Sequence, residues 1–280
     1  MRTISPTLII NETARLCIEA AYKLPDDTTN IIKKALKSEK NDRAKYFLHQ
    51  YLENAKIAKN ENIPICQDTG IAVFFVELGN KVYIPGGIEK AISRGTEKGY
   101  KKGLLRMSIV SDPVFDRKNT GTNTPPTIHI SLVKGEKLKI SLALKGGGSE
   151  NMSALAMLKP SDGIKGICNF VADTVIKAGG NPCPPTIVGV GIGGNLEVSA
   201  ILAKKALFRK IGTPNTDKRY AMLEKRILDR INKSGVGSQG LGGSITSFAV
   251  HIEWLPCHMA SLPVAVNLNC HASRHKEVII

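Results

Sequence analysis

The stretch IPICQDTGIAVFFVEL, residues 63–78, divides the chain into two textures. Before it, NETARLCIEAAYKL (11–24), TTNIIKKALKSEK (28–40) and NDRAKYFLHQYLENAKIAKN (41–60) carry apolar residues three and four apart, with no Gly or Pro inside, as amphipathic helices do. From Pro64 onward the periods mix. IAVFFVEL (71–78) reads as a strand and GIEKAISRGTEKGY (87–100) as a helix, while TIHISLV (127–133) and KLKISLAL (137–144) read as an antiparallel hairpin turning at Lys134-Gly135-Glu136. A helix over about 162–178, a short strand TIVGV (186–190), helices near 195–208 and 217–232, and strand-like runs at 244–255 and 262–269 complete the pattern. The expected class is α/β in the mixed α+β sense: a helical N-terminal segment, 1–62, packed on an α/β domain with a mixed sheet, 63–280, forming one continuous domain overall.

The chain has 280 residues, 42% of them hydrophobic, enough to bury a substantial core. Charged residues interrupt every long apolar run, so no membrane span is expected. The start, MRTISPTLIINETARLC, lacks the apolar region and cleavage site of a secretory signal, which points to the cytoplasm. The formal charge is +15, but the Lys and Arg lie among acids on predicted helices and read as solvated faces. With aromatics at 5% there is no stacking platform for nucleic acid, and none is expected as a partner.

Glycine stretches invite a ligand reading. GVGIGG (189–194) matches G-x-G-x-x-G after a strand and before a helix, which alone would favour a nucleotide-binding module. No acidic residue closes a second strand about 20 residues later, and GVGSQG (235–240) matches the same pattern after a helix, where the fingerprint has no meaning. What these two share with KGGGSEN (145–151) is backbone N–H groups that a small anion could approach.

Six cysteines without a C-x-x-C pair argue for buried thiols, a metal or catalysis rather than disulfides. Cys17 and Cys168 fall inside predicted helices and read as core residues. Cys66, Cys183 and Cys270 each lie at a loop–strand junction, and Cys257 is ambiguous. Three converging thiolates would suit an iron–sulfur cluster with one open iron; zinc held by the dipeptides Cys257-His258 and Cys270-His271 is an equal alternative from spacing alone.

Five motifs, IPICQDTG (63–70), LLRMSIVSDP (104–113), KGGGSEN (145–151), NPCPPTIVGVGIGG (181–194) and LPVAVNLNCHASRH (262–275), together resemble the class I fumarate hydratases and their relatives the L-tartrate dehydratases, which are oxygen-sensitive iron–sulfur hydro-lyases. The likeness runs in order from about residue 10 to 275. It implies that Cys66, Cys183 and Cys270 ligate a [4Fe–4S] cluster with one open iron, and that Gln67 and Asp68 face a dicarboxylate substrate. It further implies that Arg106 clamps a carboxylate, that the amides of Gly146, Gly147 and Gly148 donate to one, and that Asp68 and His258 are catalytic. His271 and Arg274 flank a ligand and stand behind it. The activity implied is reversible hydration of fumarate to (S)-malate, a tricarboxylic acid cycle reaction, with L-tartrate dehydration as the alternative. Single-chain members continue into a second domain, whereas this chain stops ten residues after Cys270. It therefore resembles the α subunit of the two-subunit form, needing a smaller β subunit for activity, in a dimer or an α2β2 assembly.

Overall fold

In the computed structural model, which describes residues 1–280, the chain runs β1 (Arg2–Thr3), α1 (Pro6–Tyr22), α2 (Asp26–Ser38), α3 (Asp42–Glu61), β2 (Ile71–Gly79), β3 (Val82–Tyr83), α4 (Ile88–Lys102), β4 (Thr127–Val133) and β5 (Leu138–Lys145). There follow α5 (Gly147–Glu150), β6 (Ala154–Leu158), α6 (Gly163–Ala178), β7 (Thr186–Gly194), α7 (Leu196–Ala206), α8 (Lys218–Asn232), β8 (Ser247–Cys257), β9 (Leu262–Asn269) and β10 (His275–Ile279). The class is mixed α/β. No helix is long and apolar enough to cross a membrane. The chain forms two units, and the helical N-terminal stretch is shared between them.

The first unit comprises residues 1–25, 54–147 and 274–280. Its sheet has the order β10-β5-β2-β4, with β2 parallel to β4 and antiparallel to β5. Here the expected hairpin between TIHISLV and KLKISLAL does not form, because β2 inserts between those two strands. Burial explains the choice. Ala72, Val73, Phe74 and Val76 of β2 are all buried, as a central strand covered on both faces requires, whereas β4 keeps Leu132 76% exposed at the sheet edge. The connection after β4 is fastened across the end of β2, where Gly79 N donates to Lys137 O at 2.9 Å and Gly135 N donates to Asn80 Oδ1 at 3.0 Å. The apolar stripes of α1 (Ile9, Leu16, Cys17, Ala20) and α4 (Ile92, Tyr100) close the core over Phe74, Ile140 and Leu142.

The second unit comprises residues 26–53 and 148–273. Its sheet has the order β6-β9-β7-β8, parallel only between β7 and β8. The strand expected as TIVGV extends through the whole glycine motif to Gly194. GVGIGG is therefore strand, not a phosphate loop, and its glycines serve packing. A Cβ on Gly189 would lie 2.1 Å from Ala203 O, and one on Gly191 would lie 1.9 Å from Ser199 O. Only bare backbone lets α7 lie this close on β7.

Within this unit Glu224, 6% exposed, ties α8 to β8: its carboxylate pairs with Arg209 and accepts from Ile252 N at 2.8 Å and Asn215 N at 3.1 Å. Beside it His251 is 2% exposed, with Nδ1 lacking a partner. Burial, reinforced by the Arg209 charge, holds its imidazole down to about 4. An unfolded His titrates near 6.5, so between those values the unfolded chain binds the extra proton and stability falls as the pH falls. Near pH 5 the loss is on the order of 2 kcal/mol relative to pH 7.5, and His251→Gln is expected to flatten it. Denaturant midpoints at the two pH values check this; an unchanged slope in the variant would place the acid sensitivity elsewhere.

Candidate active site

The sequence IPICQDTG emerges in the first unit as a loop fixed at almost every residue. Ile65 N donates to Ala21 O at 3.0 Å, and Asn54 Nδ2 donates to Ile65 O at 2.8 Å. Thr69, 1% exposed, gives its hydroxyl to Arg106 O at 2.7 Å, which draws the LLRMS segment alongside. The Gly70 carbonyl accepts from the Tyr100 hydroxyl at 2.9 Å and from Asn123 Nδ2 at 3.1 Å. Burial raises the Tyr100 phenol above its ordinary value, so it acts as a donor throughout the physiological range. Such a network gives Cys66 and Asp68 fixed positions while leaving both side chains partly accessible and Gln67 and Arg106 exposed.

Asp68 is the centre of this loop. Its Oδ1 accepts from Gly70 N at 3.0 Å and its Oδ2 from Gly147 N at 2.7 Å. The Gly147 amide, expected to face a ligand, is thus engaged by Asp68. Arg274 Nη1 donates to Asp68 O at 2.6 Å. A Cβ on Gly146 would sit 3.0 Å from Asp68 Oδ2 and 3.3 Å from Arg274 Nη2, so glycine is what lets carboxylate and guanidinium approach the KGGG turn. Arg274 is 3% exposed, its Nε is buried without a partner, and its hydrogen bond goes to a neutral carbonyl rather than to a carboxylate. A buried cation so placed is short of an anion.

In the second unit the loops that carry two cysteines touch. Cys183 follows α6 and precedes β7; Cys270 follows β9, the neighbour of β7. His271 N and His271 Nδ1 both contact the Cys183 carbonyl, at 3.3 and 2.9 Å. Tyr51 of α3 stacks on the His271 ring, centroids 3.7 Å apart at 12°, and its hydroxyl donates to Pro184 O at 3.1 Å. Gln239 N donates to the same carbonyl at 2.9 Å. Cys183 itself has φ 52, a left-handed backbone that costs a cysteine about 1–2 kcal/mol and is held by these contacts. The glycine-rich loop carrying Gln239 is anchored at Glu39, whose carboxylate accepts from Lys40 N, Asn41 N, Ser244 N and the Ser244 hydroxyl. Burial pushes that carboxyl upward, and the four donors together outweigh it and hold it below its usual value.

The remaining cysteines behave differently. Cys17 and Cys168 are buried in α1 and α6, and burial raises both thiols, Cys17 up to about 12. Cys257 lies just before the β8–β9 turn together with His258, whose Nδ1 accepts from Ala260 N at 3.1 Å. The eight residues of β9 separate this turn from Cys270, roughly 25 Å along the strand. The structure therefore does not bring His258 to the cysteines of its own unit, and one zinc cannot take both Cys-His dipeptides. No three His, Cys, Asp or Glu side chains lie close enough together to hold one metal ion. Cys66 in the first unit, and Cys183 and Cys270 in the second, are loop cysteines outside any disulfide, and thiolates are the donor chemistry an iron–sulfur cluster takes.

Sequence reading missed Tyr51, Tyr100, Asn123 and Gln239, and held Arg274 only as a flanking residue. Tyr51 looked like one more apolar position of a helix. Replacing it with Ala is expected to loosen the His271 side chain and the Pro184 carbonyl. In the isolated chain, alkylation of Cys183 should accelerate about fivefold or more, while Tyr51→Phe, which keeps the stacked ring, should change it less. Equal rates in both variants and in the unmodified chain would remove the ring from that role.

Known proteins are similar to this chain along most of its length. The sequence model described as "Fumarate hydratase (Fumerase)" matches residues 10–279. The chain is 45% identical over 262 residues to the "Putative L(+)-tartrate dehydratase subunit alpha" of Methanocaldococcus jannaschii, covering 91% of this chain and 92% of that protein. It is 32% identical over 277 residues to the "L(+)-tartrate dehydratase subunit alpha" of Escherichia coli, covering 98% and 89%. With the CQDTG loop, the KGGG turn and the Cys183–Cys270 pair all inside the matched span, the chain belongs to the fumarate hydratase (fumerase) family of hydro-lyases.

Proposed function

We propose that this chain is the α subunit of an iron–sulfur hydro-lyase that reversibly adds water across the double bond of fumarate to give (S)-malate. Cys66, Cys183 and Cys270 would hold a [4Fe–4S] cluster. When bound, the cluster supplies, at the iron without a cysteine ligand, a Lewis acid for a substrate oxygen. The observation that carries the reading is the buried Arg274 guanidinium beside Asp68, a cation without a carboxylate partner at the point where a dicarboxylate would bind. Arg274 and the exposed Arg106 supply charge for the two carboxylates, and Gln67 a hydrogen-bonding amide. Asp68, oriented by two backbone N–H groups, takes part in moving the proton at the carbon adjacent to the hydroxyl-bearing one. His258 enters this reaction only if it serves a site other than the one formed with Cys270 of its own unit.

The substrate has a second reading. Relatives of this chain carry L(+)-tartrate dehydratase names, and tartrate differs from malate by one hydroxyl. Those names also say "subunit alpha", which supports a β partner subunit completing the enzyme. The test is anaerobic reconstitution of the complex with that smaller subunit, followed by turnover of fumarate, malate and L-tartrate. The complex should contain about four iron and four acid-labile sulfide per chain. The α chain alone should show less than about 1% of its turnover. Zinc without sulfide, or substantial turnover by the α chain alone, would overturn the assignment; preference for L-tartrate would select the second substrate.

A further inference from the structure

On the second unit, α6 and α8 enclose a groove of about 680 Å³ lined by none of the residues of the candidate active site. Lys165 stands on the α6 wall, and Lys225, Arg226, Arg230 and Lys233 on the α8 wall, against one carboxylate, Asp229. Arg230 is occupied, bonded to Asn169 Oδ1 and 3.6 Å from Asp173. The other four are exposed and enter no ion pair. Some cations on other helices pair with acids one turn away, as Arg15 does with Glu12 and Glu19, and Lys101 with Glu97. On α8, Arg226 and Arg230 are four apart and like-charged, an arrangement that weakens a helix. Leu223, Ile227 and Ile231 turn into the core, so this charged face is the outward one.

We propose that the α6–α8 groove is a binding site for a small polyphosphate anion. Arg226 and Lys233 lie two turns apart, about 10 Å along the axis, with Lys165 opposite. That spacing suits an extended chain of charged groups better than a compact one. A bound chain of phosphates neutralises the like charges of α8 and lies on the apolar side chain of Met222. No aromatic residue lines the groove, so a nucleotide would be held by its phosphates and its base left unread. A pocket of this volume lies in the range of small-ligand sites.

The experiment is calorimetric titration of the full chain with sodium tripolyphosphate, ATP, GTP, AMP and citrate at low salt. Tripolyphosphate, ATP and GTP are expected to bind with similar affinity, tighter than about 1 mM. AMP and citrate should bind at least about tenfold more weakly, and added salt should weaken all binding. The double variant Lys225→Ser/Arg226→Ser should lose about tenfold in tripolyphosphate affinity, and Lys165→Ser on the opposite wall should also weaken it. Lys101→Ser/Lys102→Ser on α4 removes the same charge from another surface and should leave binding unchanged. Citrate binding as tightly as tripolyphosphate, an equal loss in the α4 variant, or no measurable binding would each overturn the site. Strong preference for ATP over tripolyphosphate would overturn the charge-only recognition. None of these outcomes depends on the hydro-lyase reading.

Discussion

Replacing Asp68 with asparagine is expected to lower kcat of the reconstituted complex by about 10²–10⁴-fold at unchanged iron content. Asparagine presents one carbonyl oxygen where Asp68 presents two, so either the Gly70 or the Gly147 N–H must face an amide NH2 group. That local loss is about 1–2 kcal/mol and falls on stability. The larger effect is chemical, because an amide cannot carry the proton that a carboxylate can. Measuring kcat and KM with iron and sulfide content separates the two, since a merely structural role would lower cluster content or stability instead. Near-normal turnover with an intact cluster would take Asp68 out of proton transfer.

The largest effect on folding is expected at a position that looks like a nucleotide motif. Gly191→Ala puts a methyl group 1.9 Å from Ser199 O, 2.6 Å from Ala203 N and 2.9 Å from Leu202 Cβ. β7 cannot retreat, because it is hydrogen-bonded to β8 on one side and β9 on the other. Helix α7 would have to lift from the sheet, losing its buried contacts through Leu202, Ala203 and Ala206. The expected loss exceeds about 4 kcal/mol, enough to remove most folded protein at ordinary stabilities. Gly179→Ala is the control. That glycine has φ +55 and ψ −128, a conformation strained for any L side chain, but open space around its Cβ, so only backbone strain of about 1–3 kcal/mol should appear. Thermal and denaturant midpoints of the two variants distinguish crowding from strain. A mild Gly191→Ala phenotype would mean that α7 is free to shift, and that the glycines are needed for something else.

Much of the site was legible because its residues are neighbours in the chain. Cys66, Gln67 and Asp68 are consecutive, and the KGGG turn and the residues around Cys270 form continuous words. Helices α6, α7 and α8 were legible for a related reason, since the period of apolar residues is a local property and boundaries were found within about two residues of 162–178, 195–208 and 217–232. Strand pairing was not. TIHISLV and KLKISLAL are adjacent with a turn between them, and local reasoning joins them; the largely buried apolar run of β2 enters between because a central position rewards it. Tyr51 and Arg274 were hidden in the same way, as an apolar helix position and as a charge near the end of the chain.

The sequence by itself determined the mixed class, the family and the continuous stretches of the candidate site such as CQDTG, because each rests on residue types in consecutive or periodic positions. Tertiary structure alone decided that GVGIGG is a packing surface, that His258 lies a strand's length from Cys270, and that Arg274 is buried against Asp68. Those facts depend on which distant segments share a sheet, and pairing between strands is fixed by competition for burial across the whole chain rather than by any one stretch of it.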